Sequence, residues 1–470
     1  MRYDEYGRWS RRASDWIESY FATIDDRPVR AETRPGDIAA LIPESAPEQP
    51  EPMETVFSDF ERIIPDGLTH WQHPRFFAYF PANAAPASMI AEQLTSAFGV
   101  LCMLWQTSPA GTELEIAMVG WIRQALGLPD SFRGVIQESA SSATLTAVLT
   151  MRERALGFDG NRTGLAGQRR VRIYTSDEAH SSVEKAVRIA GVGSENLIRI
   201  PTDDADSLIA EALSERIVED RRAGHIPAGV VAVIGSTSVG ASDHLRPILE
   251  TCRRERLYSH VDAAWAGSAM ICPELRQTWD GIEFADSLVF NPHKWLGAQF
   301  DCSVQLLADP ADQVKTLAVK PGYLKTLEHS GVVDLSELSI PLGRRFRALK
   351  LWFLFRAYGL EGLRSRIRNH IAWARELEGR LADVPKIEIV TPCRFSLFTF
   401  RYRPDNQDPD TATRDLLQRL NQDGRIYLTQ TIHRGQFVIR VQVGQFDTTR
   451  DDVLSVADVV AELTSSDGSA

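Results

Sequence analysis

Residues 287–307 read SLVFNPHKWLGAQFDCSVQLL. Two apolar runs of strand length, Ser287–Phe290 and Ser303–Leu307, bracket a polar turn holding one lysine, Lys294. Upstream, Gly134–Gln137, Val171–Thr175, Gly229–Gly235 and Leu257–Asp262 also read as strands. Helical patterns alternate with them: Glu115–Leu126, then Ser142–Leu156 with Leu145, Val148 and Leu149 on one face. Ser181–Ala190 follows, with a capping box expected from Ser181 to Glu184 and Val183, Ala186, Val187 and Ala190 at helical spacing. Strands alternating with helices predict an α/β fold with a mostly parallel central sheet covered by helices on both faces.

Outward from this centre the pattern changes. Helices are expected at about Trp16–Thr23 and Val56–Ile63, joined by a connector at 43–52, PESAPEQPEP, which is too proline-rich for either regular element. A helical run from Phe346 to Ala357 leads into a second reaching about Leu381. After Pro385, strands are expected at Lys386–Thr391, Phe395–Tyr402, Arg425–Leu428 and Phe437–Val443, with helices at Thr411–Asn421 and Asp451–Thr464. The domains expected are an N-terminal helical arm (1–85), a large α/β domain (86–360) and a small C-terminal α+β domain (361–470).

The 470 residues carry 52 basic and 63 acidic side chains, so the formal charge is 52 − 63 = −11. That balance argues against a nucleic-acid partner, which a basic face would bind. No apolar run approaches the roughly 18–20 residues of a membrane span. The N-terminus is charged and aromatic, unlike a secretory signal. Five scattered cysteines and no Cys-x-x-Cys motif suggest neither a disulfide framework nor a zinc or other metal site, and fit a reducing cytoplasm.

In an open α/β sheet, ligands bind beyond the carboxyl ends of the strands. Five polar groups stand at such ends: the Ser139–Ser142 turn, His180, Thr237, Asp262 and Asn291-Pro-His-Lys294. The serine turn opens a helix, whose free N–H groups and dipole suit a phosphate. It lacks the glycines of a dinucleotide or nucleoside-triphosphate loop, and a plain serine N-cap remains an alternative. Asp262, in an apolar strand, needs a cation or several donors. Lys294 is either a surface lysine or an amine whose desolvation makes it nucleophilic. A phosphate cradle, a buried carboxylate, a stacking imidazole and a nucleophilic lysine together describe a pyridoxal phosphate (PLP) site.

The segments NPHKWLGAQFDCS (291–303), SHVDAAWAGSAMICPE (259–274), SDEAHSSVEKA (176–186), GVIQESAS (134–141), SPAGTELE (108–115) and IPLGRRFRALKLWFLFR (340–356) resemble the PLP-dependent aromatic L-amino-acid decarboxylases, the group II decarboxylase family. The resemblance spans about residues 10–460. It implies a PLP-dependent transferase-like fold of type I, working as a homodimer with shared active sites and a dimer-wrapping N-terminal arm. By motif, Lys294 would form the Schiff base with the cofactor and Asp262 would pair with its pyridine nitrogen. His180 would stack on the ring, Ala140, Ser141, Asn291 and His293 would hold the phosphate, and Thr237 would sit beside the ring. The segment 317–340 is similar to the family's mobile loop, in which Tyr323 matches the tyrosine that delivers a proton to Cα after CO₂ leaves.

Trp71, Tyr79, Phe80 and Pro81, in HWQHPRFFAYFPAN, match the family's aromatic pocket; the partner subunit would add Leu101 and Met103. The alternative for this stretch is core packing. Ala82 and Met103 stand where animal DOPA decarboxylases carry threonine and phenylalanine. Gly343 matches the small residue that makes room for an indole. Losing a hydroxyl partner disfavours a catechol, so tryptophan and phenylalanine are favoured over DOPA within a range that includes tyrosine and 5-hydroxytryptophan. Trp265 replaces the tyrosine of animal members, without an assignable consequence from sequence. The expected activity is decarboxylation of an aromatic L-amino acid to the monoamine. The alternatives are an aromatic acetaldehyde synthase, which Tyr323 disfavours, and a non-catalytic PLP-binding relative, which the intact Lys294, Asp262 and His180 disfavour.

Overall fold

The computed structural model describes residues 1–319 and 334–465. Its contacts divide the chain into two units. One comprises Ala82–Arg375 with Thr391–Thr399, the other Met1–Pro81, Glu376–Val390 and Phe400–Ala470.

The larger unit is built on seven strands: β1 (Arg133–Gln137), β2 (Val171–Ser176), β3 (Leu197–Ile200), β4 (Ile226–Val233), β5 (Tyr258–Asp262), β6 (Ser287–Phe290) and β7 (Ser303–Leu307). Their order across the sheet is β1-β7-β6-β5-β4-β2-β3. All run in one direction except β7, which is antiparallel to both neighbours. The sheet is therefore mostly parallel, as the alternating pattern predicts.

Both faces are covered because adjacent strand residues point to opposite sides. Ile173 and Val231 pack with Val148, Met151, Val183 and Val187, from the helices Ala140–Ala155 and Ser181–Ile189. Their neighbours Tyr174 and Val230 pack with Leu213, Ile217 and Ile248, from the helices Ala210–Arg222 and Leu245–Glu255. These last two helices and β3 escaped the sequence reading, since β3 is only four residues long.

The smaller unit holds the helices Tyr3–Ala22, Met53–Ile63, Pro409–Asp423 and Arg450–Ser465. The first starts well before the expected Trp16. The C-terminal part of the chain also forms a four-stranded sheet in the order β10-β11-β9-β8, from β8 (Ile387–Arg394), β9 (Leu397–Tyr402), β10 (Thr429–His433) and β11 (Gln436–Gln442). The strand expected at Arg425–Leu428 falls instead at Thr429–His433. Tyr427 has another backbone partner: its N–H donates to Arg75 O (3.3 Å) and its carbonyl accepts from Phe77 N (3.1 Å).

Candidate active site

Strand polarity brings the site together. The carboxyl ends of β1, β2, β4, β5 and β6 lie on one edge of the sheet. From them emerge the Ser139–Ser142 turn, His180, Thr237, Asp262 and the lysine turn. The reversed strand β7 brings its first residue to the same edge. Ser303 pairs with Gln137 in register and donates a 2.7 Å hydrogen bond to Asn291 Oδ1.

Lys294 occupies a single tight turn, Pro292–Leu296, with φ −89° and ψ −105°. Its N–H donates to Asn291 O (3.0 Å), and its carbonyl accepts from Asn83 Nδ2 (2.6 Å). Asn83 N also donates to His293 O (3.0 Å), and Ala85 N to Gly297 O (3.0 Å). Asn83 is fully buried and straps the lysine turn in place. The sequence reading passed over it, because one asparagine in an aromatic segment carries no signal of this contact.

Asp262 is buried at the end of β5, where one carboxylate oxygen accepts from Ala264 N (3.0 Å). Asn291 N donates to Ala264 O (2.8 Å), tying the carboxylate's turn to the lysine's. His180 feels both groups. Loss of hydration drives its pKa down, the Asp262 charge pulls it up, and Lys294 pushes it down, with a net lowering.

His180 also corrects an expectation. It, not Ser181, is the N-cap of the helix Ser181–Ile189. Its extended backbone lets Nδ1 accept from Ser182 N (3.1 Å), in place of a Ser181–Glu184 box. An Nδ1 that accepts leaves the proton on Nε2 in the neutral ring. His293 has the same arrangement: Nδ1 accepts from Cys302 N (2.9 Å), and burial drives its pKa to about 3. It is a neutral ring with Nε2–H free to donate.

At the other end of the row, Ser139 caps the helix Ala140–Ala155 by accepting from Ser142 N (3.1 Å). The N–H groups of Ala140 and Ser141 have no acceptor among the described residues. They offer the positive end of a 16-residue helix to an anion. Thr237 is exposed, between Ser236 and Ser238. Both serine hydroxyls donate to Glu178 Oε2, Ser236 at 2.7 Å and Ser238 more closely. Glu178 stands two residues before His180 and so ties the two loops together. A basic helix end, an amine, a buried carboxylate and neutral imidazoles on one edge fit the phosphate, aldehyde and pyridine nitrogen of PLP.

The expected substrate residues fall in both units. In the smaller one, Trp71 and Tyr79 stack at 5.9 Å, and both are exposed. Phe80 and Pro81 are buried, and the Arg440 guanidinium lies 5.4 Å from the Phe80 ring. Burial drives the Arg440 pKa to about 10. This arginine was not singled out from sequence. In the larger unit, Ala82 and Met103 are half-buried, while Leu101 and Gly343 are exposed. An added Cβ at Gly343 meets nothing within 4 Å. Cys102 N donates to Arg344 O (2.9 Å), so the Leu101–Met103 segment and Gly343 are neighbours. Tyr323 lies outside the described residues.

The pyridoxal-dependent decarboxylase conserved domain matches residues 35–403. The chain is 40% identical to the aromatic-L-amino-acid decarboxylase of Cavia porcellus, covering 99% of this chain and 98% of that protein. It is 40% identical to the phenylacetaldehyde synthase of Arabidopsis thaliana, covering 92% and 90%. Its structure is similar to that of Oryza sativa TDC with PLP and tryptamine: TM-score 0.96, 33% identity and 99% of each chain covered.

Proposed function

The chain belongs to the pyridoxal-dependent decarboxylase family, and on that premise we propose that it converts aromatic L-amino acids, tryptophan and phenylalanine first, into the monoamine and CO₂. The observation that carries the reading is the grouping of His180, Asp262 and Lys294 just beyond the carboxyl ends of β2, β5 and β6, on one edge of the sheet. PLP, the family's cofactor, supplies an electron sink for the bond pair that the departing carboxylate leaves on Cα. Lys294 would hold the cofactor through its amine, and the Asp262 carboxylate would keep its pyridine nitrogen protonated. Ala140, Ser141, Asn291 and His293 hold the phosphate, and Thr237 flanks the ring. His180, neutral with its proton on Nε2, would stack on the ring near the substrate carboxylate. Tyr323 gives Cα its proton.

For the side-chain pocket we assign Trp71, Tyr79, Phe80, Pro81 and Ala82 of one protomer, with Leu101 and Met103 of a second copy and Gly343 beside that second segment. Open space at Gly343 supports an indole, and the methyl of Ala82 gives a catechol no partner. A homodimer is supported by the exposed stripe Ile90, Leu94 and Phe98 along the helix Pro86–Phe98, continued by Leu101. The arm 1–85 wraps the second copy. We assign the protein to the cytoplasm, supported by five cysteines with no disulfide among the described residues. No described helix is long and apolar enough to cross a membrane.

The test is to incubate the PLP-loaded protein separately with tryptophan, phenylalanine, tyrosine, DOPA and 5-hydroxytryptophan, and to identify the products by mass spectrometry. Amine and CO₂ without peroxide support the proposal, and the substrate ranking tests the role of Ala82. Aldehyde, ammonia and peroxide would favour the second reading, an acetaldehyde synthase, which the similarity to the Arabidopsis enzyme motivates.

A further inference from the structure

We propose that Trp265 and Trp295 form a positioning clamp, anchored by His370, that fixes the Lys294 turn against the Asp262 strand end; the inference rests on the roles proposed above for Lys294 and Asp262. Each indole is 1% exposed, and they head the fully buried side chains in size. They stack at 5.2 Å with planes 23° apart. Trp295 directly follows Lys294, and Trp265 lies three residues past Asp262. The ring pair is thus the side-chain counterpart of the backbone bond from Asn291 to Ala264.

Two features distinguish the clamp from apolar filling. The first is directional. Trp295 Nε1–H, the only donor of its side chain, donates to His370 Nδ1 at 2.9 Å. Burial drives the His370 pKa to about 3, so the ring stays neutral and Nδ1 stays an acceptor. That bond fixes the indole's rotation, and the stack passes the orientation to Trp265. The second is convergence. Phe395 meets Trp265 edge-on at 5.7 Å. Gly235, just beyond β4 with φ +74°, closes on its ring: a Cβ there would meet Trp265 Cε3 at 3.0 Å and Ala266 Cβ at 2.4 Å. The ends of β4, β5 and β6 therefore meet at one side chain, beside the loop that carries Thr237.

The test compares holoenzyme carrying His370→Leu, His370→Gln or Trp265→Phe with the unsubstituted protein. The readouts are the pH midpoint of the cofactor's visible absorbance, the cofactor dissociation constant, kcat, KM and the thermal midpoint. Small displacements of reacting groups cost on the order of tenfold to a hundredfold in rate. His370→Leu and Trp265→Phe are therefore expected to lower kcat by about that factor with little change in KM. They should also move the absorbance midpoint and loosen the cofactor. His370→Gln, whose amide oxygen can accept from the indole, should restore most of each. The clamp is overturned if Leu and Phe lower only the thermal midpoint and leave the spectrum, cofactor retention and kcat unchanged. If His370→Leu is insoluble, Trp265→Phe, a smaller ring in the same place, decides alone. An unsubstituted protein whose PLP is not bound through Lys294 would defeat the site reading itself, a separate outcome visible before any variant is made.

Discussion

Replacing Glu178 by alanine should damage catalysis more than folding. One carboxylate oxygen accepts from Ser236 Oγ at 2.7 Å and from Ser238 Oγ, and so joins the loop of His180 to the loop of Thr237. A hydrogen bond to a charged partner contributes about 1.5–3 kcal/mol when buried. Glu178 is half-buried, so water would replace part of this, leaving a loss of about 2 kcal/mol for the pair. The Thr237 turn itself survives, because Ser236 Oγ also accepts from Ala241 N (3.1 Å) and Ser236 N still donates to Ala241 O (2.7 Å). What is lost is the tie between two loops that, on the proposed reading, flank the cofactor. A misplacement of about 1 Å there costs on the order of a hundredfold in rate. Steady-state kinetics with the best amino acid should show kcat reduced by about tenfold or more, beside a modest drop in thermal midpoint. Glu178→Gln should recover most of the rate, since its amide oxygen can accept from both hydroxyls. A Glu178→Ala enzyme with unchanged kcat would refute the tether.

Lys294→Ala should abolish turnover in the same assay, and normal turnover would overturn its assignment. Tyr323→Phe should shift products from amine towards aldehyde, read by mass spectrometry; an amine-only product would count against proton delivery by Tyr323. Deleting residues 1–85 should give inactive or insoluble chain, and an active monomer in size-exclusion chromatography would contradict the wrapping arm. Burial lowers His73 and His260 to about 4 and His293 and His370 to about 3. Below about pH 6.5 the unfolded chain takes up protons that these folded histidines refuse, each costing about 1.4 kcal/mol per pH unit. Asp243, raised to about 6 by burial, opposes them as pH falls from about 6 towards 3.8. The thermal midpoint should therefore hold between about pH 7 and 8 and fall steadily below about 6.5; a flat profile down to about pH 5 would show that these rings are not buried neutral.

The parallel sheet was legible because its signals are local. Strand-length apolar runs ending in polar residues need no knowledge of partners, and the one-way direction of parallel strands places those ends together. This is why Lys294, Asp262, His180 and the serine turn could be grouped from the sequence. What stayed hidden depends on contacts between distant segments. Asn83 and Lys294 are 211 residues apart, Trp295 and His370 are 75 apart, and Glu178 reaches Ser236 across 58. None of these residues departs from its local pattern. The strand placed four residues early, at Arg425–Leu428, failed for the same reason, since its backbone groups pair with the Arg75–Phe77 segment.

The split also bears on how this scaffold changes chemistry. The sheet-end residues that fit PLP sit on rigid strand termini, in a fold common to relatives named as decarboxylases and as an aldehyde synthase at 40% identity. Anchoring the cofactor therefore does not select the product. Loss of CO₂ leaves an electron pair on Cα, and what meets that carbon first decides the outcome: a proton gives the amine, and oxygen leads to the aldehyde. On the present reading that choice rests with Tyr323, 29 residues past Lys294 in sequence (323 − 294). Substitutions in the row should then change rate and cofactor retention while leaving the product an amine, and substitution of Tyr323 should change the product. Finding aldehyde from a Glu178 or Trp265 variant would show instead that the row itself controls access of oxygen to Cα.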